Sequence, residues 1–290
     1  MQDKNTVPIG FKINYLKPVT PESYDKAQGI KQSLDELIDE LNGALGINLL
    51  LKKSKNLIIN RLKNLVKFIN NKDANGFMQE YTHMRLFTKQ LISVKNNDVE
   101  MFAHFKREIL KQSHQDNWYG IRAELGIAFN CLENFKGTTR KRESPDFVLN
   151  ESTIPVFIES TMAHTNSQKV EVLYKIGAAI NKKNKKIYAN NNTALCIDIT
   201  NIFNRFFNDT NKQESELVDW INNYLNETKI KYGAIIIMVH MYLKAERRCQ
   251  ATYSTYKLQH CSAELSEVLD ELYPKIGKNK YADPVFSNYS

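Results

Sequence analysis

Apolar and polar residues follow two different patterns along this chain, and the pattern changes near residue 115. Before that point apolar residues recur every three or four positions, as they do from Leu34 to Leu41, which is the period of an amphipathic helix. Further stretches with this period cover 49–71, 77–94 and 99–110. The pattern therefore predicts an all-α N-terminal region over residues 1–114.

After residue 115 helical stretches alternate with short apolar runs of strand length. The predicted helices cover 118–132, 168–182 and 215–226, and the predicted strands cover 144–149, 154–161, 194–200 and 232–242. Short apolar strands between helices indicate an α/β sheet covered by helices. We expect this core to span residues 115–245, with residues 246–290 forming a C-terminal extension packed on it.

Composition narrows the class of protein. The chain of 290 residues is 42% hydrophobic and 25% charged, as in ordinary globular proteins, and its net charge of +8 favours a polyanionic partner. Four cysteines lie far apart without CxxC spacing, which indicates reduced thiols. The sequence lacks a signal peptide, a membrane-length apolar run and a phosphate-binding GxxxxGK[ST] loop. We expect a cytoplasmic protein without a membrane or nucleotide partner.

The two strands at 144–149 and 154–161 carry acids at matching positions. If they form an antiparallel hairpin in which Asp146 lies opposite Glu159, then Val148 faces Phe157 and a short loop remains at the turn. Because side chains alternate between the faces of a strand, Thr161 would share a face with Glu159. The hairpin would therefore bring two carboxylates within reach of one divalent ion.

A magnesium or manganese ion suits such a site, because both accept hard oxygen ligands and retain several waters. Asp146, Glu159 and the backbone carbonyl of Ser160 are the expected ligands. Glu124, on the preceding helix beside its apolar stripe, would hold a metal-bound water or a second metal. Each acid alone also fits a structural role, as an edge-strand, turn or helix-surface residue, and only their joint arrangement favours a metal site.

This arrangement resembles the PD-(D/E)xK superfamily of restriction-endonuclease-like nucleases. Pro145-Asp146, twelve intervening residues and then Glu159-Ser160-Thr161 follow its motif, and residues 118–243 are similar to its core order. The resemblance implies an α/β fold with a restriction-endonuclease-like mixed sheet flanked by helices. It further implies a metal-dependent endonuclease that hydrolyses phosphodiester bonds in DNA, with Asp146 and Glu159 as metal ligands and Glu124 as a supporting acid. Restriction and phage defence are compatible with it.

Thr161 departs from the family pattern, which has a lysine there to help activate the attacking water. Threonine donates a hydrogen bond but supplies no charge. Three interpretations stay open. A lysine from the following helix (Lys169, Lys175 or Lys182) reaches the site, Thr161 is a tolerated catalytic residue, or the site binds nucleic acid without cutting it. The presence of all three acids favours retained catalysis.

Two basic segments flank the acids and are expected to contact DNA phosphates. Their residues are Arg140, Lys141 and Arg142 in the connector, and Lys182, Lys183 and Lys185 after a helix. The helix within 49–71 is also rich in basic residues, including Arg61, and fits either a phosphate-binding role or a solvated basic face.

Three functions are therefore open to test. The first is a DNA nuclease, for which a homodimer would suit cleavage of both strands. The second is a catalytically inactive protein of the same fold that binds nucleic acid or a protein partner. The third is an interaction protein that acts through its helical first third.

Overall fold

The computed structural model describes residues 21–49, 56–111, 116–150, 153–165, 171–208, 213–243 and 248–273. These residues form nine helices and a six-stranded sheet, a fold of mixed α/β class. The chain divides into a helical unit, Met1–Ile121 with Tyr242–Gln250, and a sheet unit, Arg122–Met241 with Ala251–Ser290. No helix in the described ranges combines the length and apolar character needed to cross a membrane.

The helical unit is built on the predicted three-to-four-residue spacing of apolar positions. Its helices are α1 (Pro21–Leu45), α2 (Leu57–Asn70), α3 (Ala74–Asn97) and α4 (Val99–Lys111). Side-chain caps fix two of the helix starts. Asn56 Oδ1 accepts a hydrogen bond from Ile59 N at 2.9 Å, and Asp73 Oδ1 accepts one from Gly76 N at 2.8 Å. The described residues of this unit up to 111 are mainly helical, and α1 begins at Pro21, earlier than the apolar spacing from Leu34 indicated.

Arg61 corrects the expectation of a uniformly exposed basic face on α2. Its side chain is buried, forms an ion pair with the buried Glu80, and has its guanidinium carbon 5.1 Å from the centre of the Trp118 ring. Lys63 and Lys67 on the same helix are exposed. Lys52, Lys53 and Lys55, which belong to the same basic stretch of the sequence, lie outside the described ranges. Within its described part, α2 is therefore a core-packing helix with a solvated basic side.

The sheet unit begins with the second half of α5 (Asp116–Asn134) and alternates strands with helices. Its strands are β1 (Thr139–Lys141), β2 (Phe147–Leu149), β3 (Val156–Met162), β4 (Thr193–Asp198), β5 (Ala234–Leu243) and β6 (Arg248–Lys257). Its other helices are α6 (Tyr174–Lys183), α7 (Thr200–Asn208), α8 (Glu214–Glu227) and α9 (Ala263–Leu272). The tips of β5 and β6 fall in the range of the helical unit.

The sheet has the order β1-β2-β3-β4-β5-β6, so that every strand lies beside its sequence neighbour. The first three strands are antiparallel, whereas β3, β4 and β5 are parallel. Parallel neighbours need crossover connections, and α6 supplies one after β3 while α7 and α8 supply the next. All six residues of β4 are buried, because a parallel strand inside a sheet is covered on both faces.

β6 joins the sheet although its residues were expected in the C-terminal extension, and two further elements that position the sites were not predicted. The basic connector contains a short strand, β1, in which Thr139 pairs with Leu149 and Lys141 with Phe147. Its three polar residues carry no apolar alternation, so periodicity gave no sign of a strand. The segment after β4 forms α7, which was not predicted. Both differences matter below, because β1 brings Lys141 beside the acids and α7 starts beside Asp198.

Candidate active site

The hairpin of β2 and β3 brings Asp146 beside the middle of β3. Val148 pairs with Phe157 and Leu149 with Val156, which is the predicted register. Asp146 directly precedes β2, and its Oδ2 accepts a hydrogen bond from Ser160 N at 2.6 Å. Asp146 is 8% exposed and Glu159 is 3% exposed. Two carboxylates therefore lie almost buried at adjacent positions on neighbouring strands, where burial penalises their charge.

Glu124 joins these acids through a shared lysine. Lys141 Nζ lies 3.1 Å from Glu124 Oε2, on α5, and 3.4 Å from Asp146 Oδ1. The Lys141 side chain is only 5% exposed, and its Nζ lies 5.1 Å from the centre of the Phe147 ring. A buried ammonium is stable only with charge partners close by. Lys141, expected to face DNA, therefore faces two acids of the site instead.

A second lysine contacts Glu159. Lys183, the last residue of α6, forms an ion pair with Glu159 Oε1. Glu159 Oε2 is buried and has no hydrogen-bond partner among the described residues. A buried carboxylate oxygen without a donor is costly, so this atom is positioned to accept a cation or a donor from a ligand. It is the structural observation that most favours a metal at this place.

The helix after β3 supplies the lysine that contacts the acids, as one interpretation expected, but the residue is Lys183 and none of the three lysines named for this role. Lys182 is exposed, no ion pair joins Lys175 to the site within the described part of the chain, and Lys169 lies outside the described residues. Lys183 follows the buried residues Ile176 and Ile180 at spacings of seven and three, which put it on the inward face of α6. That spacing was the sequence signal that could have identified Lys183.

The electrostatics of the cluster show a surplus of negative charge. Burial, followed by the charge of Asp146, raises the pKa of Glu124 from 4.5 to about 7, with Glu159 adding to the effect and Lys141 opposing it. Three carboxylates share two ammonium groups within this cluster. Burial and the neighbouring carboxylates therefore favour the protonated form of Glu124 more than in an exposed carboxyl group.

Two tyrosines line the Glu159 side of the cluster. Burial raises the pKa of Tyr188 to about 12, with a hydrogen bond to Ser144 opposing the rise, and a hydrogen bond to Glu159 and the Glu159 charge adding to it. Burial and then the Glu159 charge also raise the pKa of Tyr232, whose hydroxyl donates to Lys183 O at 3.1 Å. Both phenols remain neutral and keep a donor hydrogen near the acids. Neither was predicted from the sequence.

The other predicted site residues lie around this cluster. Thr161 is half-buried in β3 and takes no part in the ion pairs that join acids to lysines in the described ranges. The remaining basic residues of the prediction are exposed: Arg140, Arg142, Lys182 and Lys185. The basic residues therefore separate into an inner pair, Lys141 and Lys183, and an outer set that faces solvent.

The fit to a metal ion rests on oxygen donors and charge. The described residues contain no group of three or more His, Cys, Asp or Glu side chains arranged to hold a metal. Asp146 and Glu159 nevertheless supply two carboxylates, and Ser160 belongs to the same strand as Glu159. Together with the partnerless Glu159 Oε2 and the surplus negative charge, this donor set fits a hard cation such as Mg²⁺. It does not fit zinc, which favours nitrogen and sulfur ligands.

A second buried polar cluster lies in the sheet unit and was missed at the sequence level. Arg122 Nη2 donates to Asp198 Oδ2 at 2.7 Å, and Asp198 Oδ1 accepts from Thr200 N at 2.8 Å and from the Thr200 hydroxyl. His240 N donates to Thr200 Oγ1 at 2.9 Å, and its ring Nδ1 lies 3.6 Å from Asp198 Oδ2. All four residues are buried. An aspartate inside the apolar run 194–199 was the available signal.

Charge is balanced in this second cluster. Burial alone would raise the pKa of Asp198, but the Arg122 guanidinium and the His240 ring hold it well below its usual range. Burial and the Arg122 charge lower the pKa of His240, which is therefore neutral at pH 7. One carboxylate faces one guanidinium, so the cluster has no need of a further ion. Its position between α5, β4 and β5 gives it a structural role.

Comparisons with known proteins do not assign this site. No family model, no curated protein and no solved structure matches the chain.

Proposed function

We propose that the protein is a metal-dependent nuclease that hydrolyses phosphodiester bonds in DNA, with a restriction-endonuclease-like core and a cytoplasmic location. The observation that carries the proposal is the convergence of Glu124, Asp146 and Glu159 on two inward lysines. It combines with the resemblance of the 145–161 segment to the PD-(D/E)xK motif, which implies the same three acids. The net charge of +8 favours a polyanionic substrate.

Asp146, Glu159 and the Ser160 carbonyl are the residues that would hold Mg²⁺ or Mn²⁺. The ion would supply Lewis-acid polarisation of the phosphodiester and stabilise charge on the leaving oxygen. Ser160 N already holds Asp146 Oδ2 at 2.6 Å, so that one oxygen of this carboxylate is fixed before any ligand arrives. Such positioning lowers the reorganisation needed at the site.

In this proposal Lys183 supplies the positive charge that a threonine at position 161 cannot supply. Its ammonium lies against Glu159 at the end of α6, where it would stabilise negative charge on a phosphoryl oxygen. Charge that comes from a neighbouring helix does not need a lysine at position 161. Thr161 then contributes a hydroxyl donor beside the acids.

Glu124 is the acid best placed to take a proton from the attacking water. A general base works best when its pKa is near the working pH, and the pKa of Glu124 is about 7. Lys141 bridges Glu124 and Asp146, and thereby fixes the direction of the Glu124 carboxylate. The proposed proton acceptor is Glu124 Oε1 or Oε2 once water lies beside it.

One observation favours the second candidate, an inactive protein of the same fold that binds nucleic acid. The two inward lysines already neutralise part of the acidic charge, and the described residues hold no three-ligand metal group. In such a protein the lysines would hold the acids together for stability. The exposed basic residues would then carry the binding function alone.

Plasmid cleavage tests the two candidates. Purified full-length protein is incubated with supercoiled DNA and either Mg²⁺ or Mn²⁺, beside Asp146→Asn, Glu159→Gln and the control Lys89→Met, which changes an exposed lysine of α3. We expect nicking or linearisation by the wild type and the control, and a loss of at least about 100-fold in rate in both acid variants. Equal cleavage by wild type and acid variants, or no cleavage of duplex or single-stranded DNA, would refute the nuclease proposal.

A further inference from the structure

Ile187 is the most exposed large apolar side chain in the described part of the chain. Its side chain is 99% exposed, compared with 53% for Ile154 and 72% for Val99. Single exposed apolar residues are common on proteins and need no explanation by themselves. Ile187 differs because of what surrounds it and because of how its segment is held.

The turn that carries Ile187 is fixed at both ends. Lys183 contacts Glu159 before the turn, and the carbonyl of Tyr188 accepts the Thr193 hydroxyl at 2.8 Å after it. Inside the turn, Lys186 N donates to Lys183 O at 2.9 Å. Backbone bonds of this kind restrict the turn, so Ile187 is presented at a defined position next to the acid cluster.

Asn184 joins the turn to a second segment. Its side-chain amide donates to Lys229 O at 2.9 Å and accepts from Lys231 N at 2.8 Å. The exposed lysines Lys182, Lys185, Lys186, Lys229 and Lys231 therefore lie on two segments that hydrogen bonds hold side by side, and they are named the lysine patch. A patch of this kind fits closely spaced phosphates, since each neutralised phosphate releases condensed counterions.

The patch adjoins the proposed site for phosphodiester cleavage. Lys183, within the same turn, contacts Glu159, and Tyr188 follows Ile187 directly. Duplex DNA whose backbone follows the lysine patch would therefore bring its bases towards Ile187.

We propose that Ile187 is a wedge that enters the base stack of duplex DNA while the lysine patch holds the backbone. Apolar side chains of this size separate adjacent base pairs and kink DNA when lysines or arginines secure the flanking phosphates. The proposal rests on the proposed function only in that the substrate is DNA. It adds that the protein deforms its substrate beside the acids.

An anionic membrane is the competing partner, because basic residues around an apolar side chain also suit lipid headgroups. One isoleucine buries little apolar area, whereas stable membrane attachment takes two strong signals. The proximity of the turn to a candidate phosphodiester site also favours DNA. The test therefore includes vesicles as a separate arm.

Base unstacking measures the wedge without any need for cleavage. Full-length protein in EDTA is titrated against 30-base-pair duplexes that carry 2-aminopurine, whose fluorescence rises on unstacking. The variants are Ile187→Ser, the matched control Ile154→Ser, and the double variant Lys185→Ser/Lys186→Ser. Affinity is measured at several salt concentrations, together with binding to phosphatidylserine vesicles.

We expect the wild type and Ile154→Ser to raise the fluorescence at least about threefold. Ile187→Ser should keep its DNA affinity within about threefold and lose most of the rise, because the phosphate contacts remain. The double lysine variant should bind DNA about tenfold more weakly, and the magnitude of its salt slope should fall by about 1 to 2.

Three results would overturn the wedge. They are DNA binding by the wild type without a rise, an unchanged rise in Ile187→Ser, and Ile187-dependent binding to vesicles with no binding to DNA. The result also separates the two proposals. Plasmid cleavage without unstacking rejects the wedge alone, whereas unstacking without cleavage in Mg²⁺ or Mn²⁺ rejects the nuclease alone.

Discussion

Two buried charge clusters in the sheet unit start from the same helix and differ in their charge balance. Arg122 on α5 pairs with Asp198, whose oxygens also accept from Thr200. Two residues further along α5, Glu124 shares the ammonium of Lys141 with Asp146. The pKa of Asp198 is held well below its usual range, whereas the pKa of Glu124 is raised to about 7.

This difference separates a structural cluster from a candidate active site. In the Asp198 cluster the carboxylate has donors on both oxygens, so the folded chain satisfies its charge without help. In the acid cluster Glu159 Oε2 is buried without a partner among the described residues. Carboxyl groups with a raised pKa, such as Glu124 in the same cluster, are more frequent at functional sites than elsewhere. A ligand with positive charge would complete the acid cluster but not the Asp198 cluster.

The largest effect should come from the same substitution made in each cluster. Asp198→Asn leaves the Arg122 guanidinium buried without a counter-charge, so we expect it to lower the free energy of unfolding by about 3 kcal/mol or more. Asp146→Asn relieves repulsion with Glu124 and should change stability by less than about 1 kcal/mol. Urea unfolding of both variants checks this. Equal losses would remove the distinction between the clusters.

The second effect concerns the lysine on α6. Lys183→Met removes the ammonium beside Glu159, and we expect DNA cleavage to slow by about 100-fold, which corresponds to about 2.7 kcal/mol of transition-state stabilisation. Lys89→Met removes the same charge at an exposed position of α3 outside the lysine patch, so it is the control and should retain the wild-type rate. Cleavage rates under single-turnover conditions decide the point. Similar rates for the two variants would show that Lys183 has only a structural role.

The smallest effect is a change of stability with pH. The folded-state pKa of Glu124 lies above its ordinary value of 4.5, so its contribution to stability is complete below pH 4.5 and is lost as the pH rises through about 7. Glu124→Gln does not titrate. The stability of this variant relative to the wild type should therefore rise by about 1–2 kcal/mol from pH 4.5 to pH 8.

Urea unfolding of wild type and Glu124→Gln at the two pH values, in EDTA, measures this change. A difference that stays constant would contradict the surplus of negative charge around Glu124. Addition of Mn²⁺ at pH 8 should reduce the advantage of the variant, because a bound cation stabilises the ionised carboxylates of the wild type.

The hairpin was predictable because its two short strands carry acids at matching positions. Placing Asp146 opposite Glu159 leaves a short loop at the turn and pairs Val148 with Phe157, and this pairing is observed. Apolar periodicity also predicted α2, α3, α4 and the second half of α1.

The lysines and the second cluster depend on contacts that periodicity does not contain. Lys141 reaches Glu124 because a three-residue polar strand pairs with β2. Arg122 meets Asp198 across 76 residues, and Asn184 links its turn to a segment 45 to 47 residues away. Such contacts are set by how strands and helices assemble, and no local pattern in a single sequence encodes them.

Binding of Mn²⁺, followed by electron paramagnetic resonance at pH 7.5, is the most direct test of a cation site among the acids. We expect the wild type and Lys182→Met to bind one ion per chain, and Asp146→Asn and Glu159→Gln to weaken that binding at least about tenfold. No binding by the folded wild type at millimolar Mn²⁺, or binding by both acid variants as tight as that of the wild type, would contradict a cation site formed by Asp146 and Glu159.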